Sequence, residues 1–161
     1  MNSFDPAVLA LADALRTRGF RIATAESCTG GLIAAACTAV AGSSDWFERG
    51  FVTYSNDAKT ELLGVDADLI ASVGAVSAEV ARAMAEGALH HSPADLAVAV
   101  TGIAGPGGAT PGKPVGTVWL ALVRRGSAAT AELLQLQGDR AQVREQTVAI
   151  ALQRLREAAL R

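Results

Sequence analysis

The sequence predicts a single α/β domain over residues 1–161, built as three layers, α/β/α, around a mixed sheet. Three observations predict it. Helical stripes of apolar residues alternate along the chain with short apolar runs. The run DLAVAVTG at 95–102 is apolar nearly throughout, as a strand covered on both faces must be. Two further strand-like segments near the C-terminus are joined by a short turn, which adds an antiparallel hairpin. Half of the 161 residues are hydrophobic and 19% are charged, so enough apolar surface exists to offset the entropy of ordering, which excludes intrinsic disorder. Aromatics make up only 4%, so the core must come from Ala, Val, Leu and Ile.

In chain order, the first element is a helix. Asp5 is its expected cap, Pro6 takes the favoured first position, and Val8, Leu9, Leu11, Ala12 and Leu15 form a stripe ending near Gly19. FRIATA at 20–25 reads as a short buried strand, and a small-residue turn leads to a helix over 30–39. FVTYS at 51–55 is strand-like by alternation. Ser55 or Asn56 then caps a short helix carrying Lys59, Leu62 and Leu63. Residues 66–72 give another helical turn. Ser77 caps a helix with Glu79 in its first turn and Val80, Met84 and Leu89 on its apolar face. After the 95–102 strand comes the longest loop, 102–116, which holds six of the sixteen glycines and three of the five prolines. VGTVWLALV at 115–123 and ATAELLQLQ at 129–137 form the hairpin. Asp139 with Gln142 resembles a capping box that opens a C-terminal helix with Val148, Leu152, Leu155 and Ala159 at helical spacing.

Composition narrows the function classes. Fourteen basic and sixteen acidic residues are well mixed, so the basic stripe that nucleic-acid binding requires is missing. Cys28 and Cys37 form no C-x-x-C, and the two histidines, His90 and His91, sit far from either. The reading is therefore no metal site and no cofactor. The N-terminus has neither the basic region nor the apolar core of a signal peptide, and no window is apolar enough for a membrane span. The expectation is a cytoplasmic protein with a small-molecule substrate and no membrane partner, leaving room for a homo-oligomer.

Several segments could carry chemistry. Gly107 to Lys113 spells the opening of a P-loop, but Pro114 stands where Ser or Thr must ligate magnesium, and a strand follows instead of a helix. That reading is rejected, and a binding loop or a long surface connection remains. ATAESCTGG at 23–31 places Glu26, Ser27, Cys28 and Thr29 at a strand-to-helix turn whose Gly30 and Gly31 permit close backbone approach. Free N–H groups there suit a phosphate or a developing oxyanion. Taken alone, the turn is better explained by a plain N-cap role for Ser27 or Thr29. The histidines end an amphipathic helix, which leaves Ser27 and Cys28 without an imidazole base. Only Lys59 and Lys113 are lysines among the fourteen basic residues. A partly buried lysine can become a neutral base, which arginine cannot. Tyr54 lies five residues before Lys59, across a turn that lets both face one site. Arg140 opens the C-terminal helix, where a cation opposes the dipole, and this points to an anionic partner as much as to a solvated side chain.

TAESCTGG (24–31), AGSSDWFERGFVTYSNDAK (41–59), GAVSAEVARAMAEGAL (74–89), AVTGIAGPGG (99–108) and KPVGTVWLAL (113–122) together closely resemble the CinA C-terminal domain family. The likeness runs from about residue 8 to residue 158. It implies a nicotinamide-nucleotide amidohydrolase that converts nicotinamide mononucleotide to nicotinate mononucleotide and ammonia, with serine and lysine and without a metal. Longer family members carry a further N-terminal domain, so this chain looks like the stand-alone form. The resemblance implies Ser27, Tyr54 and Lys59 as the catalytic group. It assigns Thr29, Gly30, Ser44, Thr101, Gly102 and Arg140 to the pyridine-mononucleotide substrate, with Arg140 on its phosphate. Ser27 and Ser44 both stand as nucleophile, Ser27 preferred because its turn supplies oxyanion donors. The competing class is a non-catalytic nucleotide-binding module linked to competence or DNA damage; a structural oligomerisation domain is the blander reading.

Overall fold

Residues 3–161 are described by the computed structural model. Its strands are β1 (Ile22–Glu26), β2 (Phe47–Val52), β3 (Leu96–Gly102), β4 (Thr117–Arg124) and β5 (Thr130–Gln135). They form one sheet in the order β2-β1-β3-β4-β5, parallel among β2, β1 and β3 and antiparallel from β3 to β5. The helices are α1 (Asp5–Arg18), α2 (Leu32–Thr38), α3 (Asn56–Leu63), α4 (Ala67–Val73), α5 (Ala78–His90) and α6 (Arg140–Leu160).

Alternation along the central strands builds two unlike faces. Ile22, Leu96, Val98, Val100, Val118 and Leu120 point to one side, where they pack with α1, α2 and α6. Ala23, Ala25, Ala97, Ala99 and Ala121 point to the other, against α3, α4 and α5. Branched side chains fill the first layer, while the alanine face lets α5 lie close to the sheet. That layer is tight. A Cβ at Gly87 of α5 would stand 2.1 Å from the Leu63 carbonyl oxygen. The expected three-layer α/β architecture with a mixed sheet is what the chain forms.

Local signals explain most helix ends. The Ser55, Asp66 and Ser77 side chains accept from amides in the first turns of α3, α4 and α5. Asp139 and Gln142 make the expected reciprocal capping box on α6. Arg18 holds the far end of α6, donating to the Ala159 and Arg161 carbonyl oxygens.

Besides shifts of one or two residues at other strand ends, three boundaries differ from expectation. Asp5 is the first residue of α1 and not its cap; Phe4 holds the cap position. The helix expected over 30–39 begins at Leu32, because Gly30 and Gly31 both adopt positive φ, 58° and 106°, in the turn before it. The largest shift is in β2, expected at 51–55 and found at Phe47–Val52. It is an edge strand whose Glu48, Arg49 and Gly50 hide the apolar pattern. The chain leaves the sheet after Thr53, whose N–H donates to the Glu26 carbonyl, and Ser55 is already the cap of α3.

Candidate active site

In the order β2-β1-β3, the chain leaves β1 for a neighbour on one side and returns from β2 to β3 on the other. α2 makes the first crossover on one face of the sheet, and α3, α4 and α5 make the second on the opposite face. Connections that diverge in this way leave a crevice outside the carboxyl ends of the strands. The Ser27 N–H donates to the Val100 carbonyl at 3.1 Å, which draws the ends of β1 and β3 together. A cavity of about 240 Å³ opens there, bordered by Ser27, Tyr54, Lys59, Thr101, Gly102 and Arg140, with Cys28 and Asn56 beside them. A larger apolar groove between α1 and α6, about 390 Å³, holds none of these groups.

Lys59 is the unusual residue of the cavity. Its residue surface is 1% exposed, and none of the ion pairs between described residues includes it. The Nζ lies 2.9 Å from the Thr53 carbonyl oxygen, 3.1 Å from that of Tyr54 and 3.0 Å from Ser27 Oγ. Both carbonyls can only accept, so they engage two N–H bonds. The remaining tetrahedral direction of the nitrogen is aimed at Ser27. In an ammonium this direction is a third N–H; in a neutral amine it is the lone pair, placed to take the serine proton. Burial pushes the lysine below its ordinary value, toward the neutral form.

The turn at 27–30 is held from two sides. Just before it, Glu26 is as buried as Lys59, and its carboxylate accepts from the Thr29 hydroxyl at 2.5 Å and from the Ile33 and Ala34 amides at 2.8 and 3.1 Å. It therefore does for α2 what a local cap does elsewhere, since Gly31 supplies no side chain. From α6, Arg144 donates to the Cys28 carbonyl at 3.1 Å and to the Thr29 carbonyl at 3.2 Å. Burial pushes the Cys28 thiol up to about 11, so it is a neutral thiol at ordinary pH and a poor nucleophile.

The structure gathers some of the expected residues and separates others. Ser27, Lys59, Thr101, Gly102 and Arg140 border the cavity. Thr101 donates its hydroxyl proton to the Ala75 carbonyl at 3.0 Å. Tyr54 meets the lysine through its backbone carbonyl, while its side chain, 63% exposed, has its phenol oxygen 3.5 Å from Arg140. Thr29 turns its hydroxyl into Glu26, and neither it nor Gly30 borders the cavity. Ser44 lies in the short helical turn Ser43–Asp45 that precedes β2, at the amino ends of the parallel strands. There the Ile22 N–H donates to Trp46, so Ser44 sits across the sheet from Ser27. Lys113 donates to the Val73 carbonyl at 3.2 Å, and the Gly107–Lys113 segment runs into β4 and not a helix. Sequence reasoning missed Glu26 as the buried support of the turn, and Arg144.

A family model, the CinA C-terminal domain, matches residues 5–159. The nicotinamide-nucleotide amidohydrolase PncC of Enterobacter agglomerans is 52% identical over 140 residues, covering 87% of this chain and 85% of that protein. A CinA-like protein of Citrifermentans bemidjiense is 62% identical over 146 residues, covering 91% of this chain and 35% of that protein. The chain thus spans about a third of the length of relatives of that kind. Among solved structures, the competence/damage inducible protein CihA from Agrobacterium tumefaciens is 44% identical with a TM-score of 0.94, over 100% of this chain and 98% of that one.

Proposed function

The chain belongs to the CinA C-terminal domain family, and from that premise we propose that it hydrolyses the carboxamide of nicotinamide mononucleotide to give nicotinate mononucleotide and ammonia. The observation that carries the reading is the buried Lys59 aimed at Ser27 Oγ with no carboxylate to hold it charged.

In this mechanism neutral Lys59 takes the Ser27 proton as Oγ attacks the carboxamide carbon. The negative charge that develops on the carboxamide oxygen is met by amide N–H groups of the 27–30 turn, a type of interaction worth about 3–4 kcal/mol per donor. Lys59 then passes its proton to the departing nitrogen, ammonia leaves, and a nicotinoyl ester remains on Ser27. Water attacks that ester, Lys59 takes the water's proton, and collapse of the adduct returns it to Oγ. With Ser44 at the far end of the sheet, the geometry supports Ser27 as the nucleophile. The cavity suits a pyridine ring and its amide, with Arg140 at the exposed rim to pair with the 5′-phosphate.

The direct test is ammonia release from nicotinamide mononucleotide by the purified protein after dialysis against a strong chelator, with Ser27→Ala as the control. Binding of the nucleotide without ammonia release from the unaltered protein would favour the non-catalytic module instead. Loss of activity on dialysis, restored by zinc or manganese, would overturn the serine–lysine assignment.

A further inference from the structure

We propose that Thr101 selects a carboxamide by accepting a hydrogen bond from its nitrogen, and so tells the substrate from a carboxylate or an ester. The inference rests on the amidohydrolase reading and gives Thr101 a bonding partner and a direction that the reading leaves open. Thr101 borders the cavity and is 1% exposed, a burial it shares with Lys59. Its hydroxyl proton is committed, donated at 3.0 Å to the Ala75 carbonyl, which can only accept. Ala75 and Val76 border the cavity as well, so this bond is part of the wall. Among the described residues, none donates to the Thr101 hydroxyl oxygen in return. Thr101 therefore offers the cavity lone pairs and no proton.

Position and polarity both follow from the fold. Side chains alternate along β3, so Thr101 falls on the face of Ala97 and Ala99, which α3, α4 and α5 cover. Lys59 reaches Ser27 from α3, on that same face. In the proposed mechanism the nitrogen that Lys59 protonates as it departs must lie on this side of the cavity. The other polar groups there differ in kind. The Thr53 and Tyr54 carbonyls are engaged by Lys59. Asn56 is exposed and can turn either its oxygen or its NH₂ group to a ligand. Thr101 cannot turn its proton inward without forfeiting the bond to Ala75. A carboxamide N–H completes this arrangement. A carboxylate sets lone pairs against lone pairs, and an ester has no proton on its leaving oxygen. A site built around one hydrogen bond rejects the analogue lacking it, because the buried partner is left unpaired. The same preference favours release of the nicotinate product once ammonia has left.

The test compares kcat/KM for nicotinamide mononucleotide with kcat/KM for the methyl ester of nicotinate mononucleotide. The proteins are the unaltered chain, Thr101→Val and Thr101→Ser. Because kcat/KM reports binding and acyl transfer to Ser27, hydrolysis of the shared nicotinoyl ester does not enter. Thr101→Val keeps the shape and removes the oxygen. It should lower kcat/KM about 10–100-fold on the amide and no more than about threefold on the ester. Thr101→Ser, which keeps the oxygen, should recover most of the loss on the amide. If the valine variant does not fold, Thr101→Ala takes its place under the same criteria. Parallel losses on amide and ester would assign Thr101 to holding the Ala75 segment and overturn the inference alone. So would an unchanged rate on the amide, a serine variant as impaired as the valine one, or an ester that neither the unaltered chain nor the valine variant hydrolyses. An unaltered protein that releases no ammonia from nicotinamide mononucleotide would overturn the hydrolase reading and the inference together.

Discussion

Two turns leave the carboxyl edge of the sheet side by side, and each adjoins one buried ionisable group. Glu26 ends the strand before the first turn, and Lys59 lies on α3 just after the second, both 1% exposed. Their surroundings are opposite in kind. Glu26 receives three donors on its two oxygens. Lys59 is offered two carbonyls and one hydroxyl, and no carboxylate pairs with it. Equal burial therefore gives a fully bonded carboxylate in one case and, under the proposed mechanism, a proton-accepting amine in the other. What a buried ionisable group does depends on whether its neighbours satisfy the charged form.

The largest expected effect breaks the lysine side of this contrast. Lys59→Arg keeps the positive charge but cannot become neutral at any working pH. It should abolish ammonia release almost as fully as Ser27→Ala, about 10⁴-fold or more in kcat, with the double variant scarcely worse than either single one. Both single variants should still bind the nucleotide, since Arg140 is untouched. A Lys59→Arg protein retaining a tenth of kcat would falsify the dyad.

On the glutamate side, Glu26→Gln keeps the shape and removes acceptor capacity. If the amide oxygen takes the place that accepts from Thr29 and Ile33, its NH₂ group faces the Ala34 N–H, donor against donor. Leaving buried polar groups unsatisfied in this way should cost about 1–3 kcal/mol, read as a lower urea midpoint at unchanged slope. Unaltered stability would show that the carboxylate is not what holds the start of α2.

How far the sequence foretold these two turns differs for a physical reason. Lys59 stood out because a chain that otherwise uses arginine had kept a lysine just after a predicted cap, and Ser27 because its turn is rich in small residues. Those signals are local. Glu26 and Arg144 act on the turn by folding back on it, from the adjoining strand end and from residues more than a hundred positions away, so no spacing rule contains them. The same reason explains β2. Its partner β1 fixes the register at Phe47–Val52, whereas local alternation favoured FVTYS. Buried strands and capped helices were legible; an exposed edge strand and tertiary caps were not.

A smaller effect concerns pH. Burial lowers the folded-state value of Lys59, so between that lowered value and the ordinary one near 10.5 the unfolded chain binds the extra proton. Stability should therefore rise with pH in that window relative to a Lys59→Met protein, which lacks the titration, by at most about 1.4 kcal/mol per pH unit. The penalty of burying the charged lysine is full below the window and gone above it. Parallel pH–stability curves for the two proteins would mean that folding does not lower the Lys59 value, and the contrast with Glu26 would collapse.

The smallest effect is an expected absence, at Ser44. This serine shares the family-like AGSS segment and was a rival nucleophile by sequence, yet it is exposed and lies at the amino ends of the strands. Within one chain it has no route to Lys59, whose nitrogen is bonded at the opposite edge of the sheet. Ser44→Ala should therefore leave kcat and KM within about twofold, the usual consequence of an exposed substitution away from any buried network. The discriminating measurement is kcat over a hundredfold range of protein concentration. Indifference at every concentration confirms that the pair at the carboxyl edge is self-sufficient. A large loss of kcat confined to concentrations at which the protein associates would mean that a second chain brings its own Ser44 to this cavity. The site would then have to be described across two chains, with Ser27 and Lys59 as only one half of it.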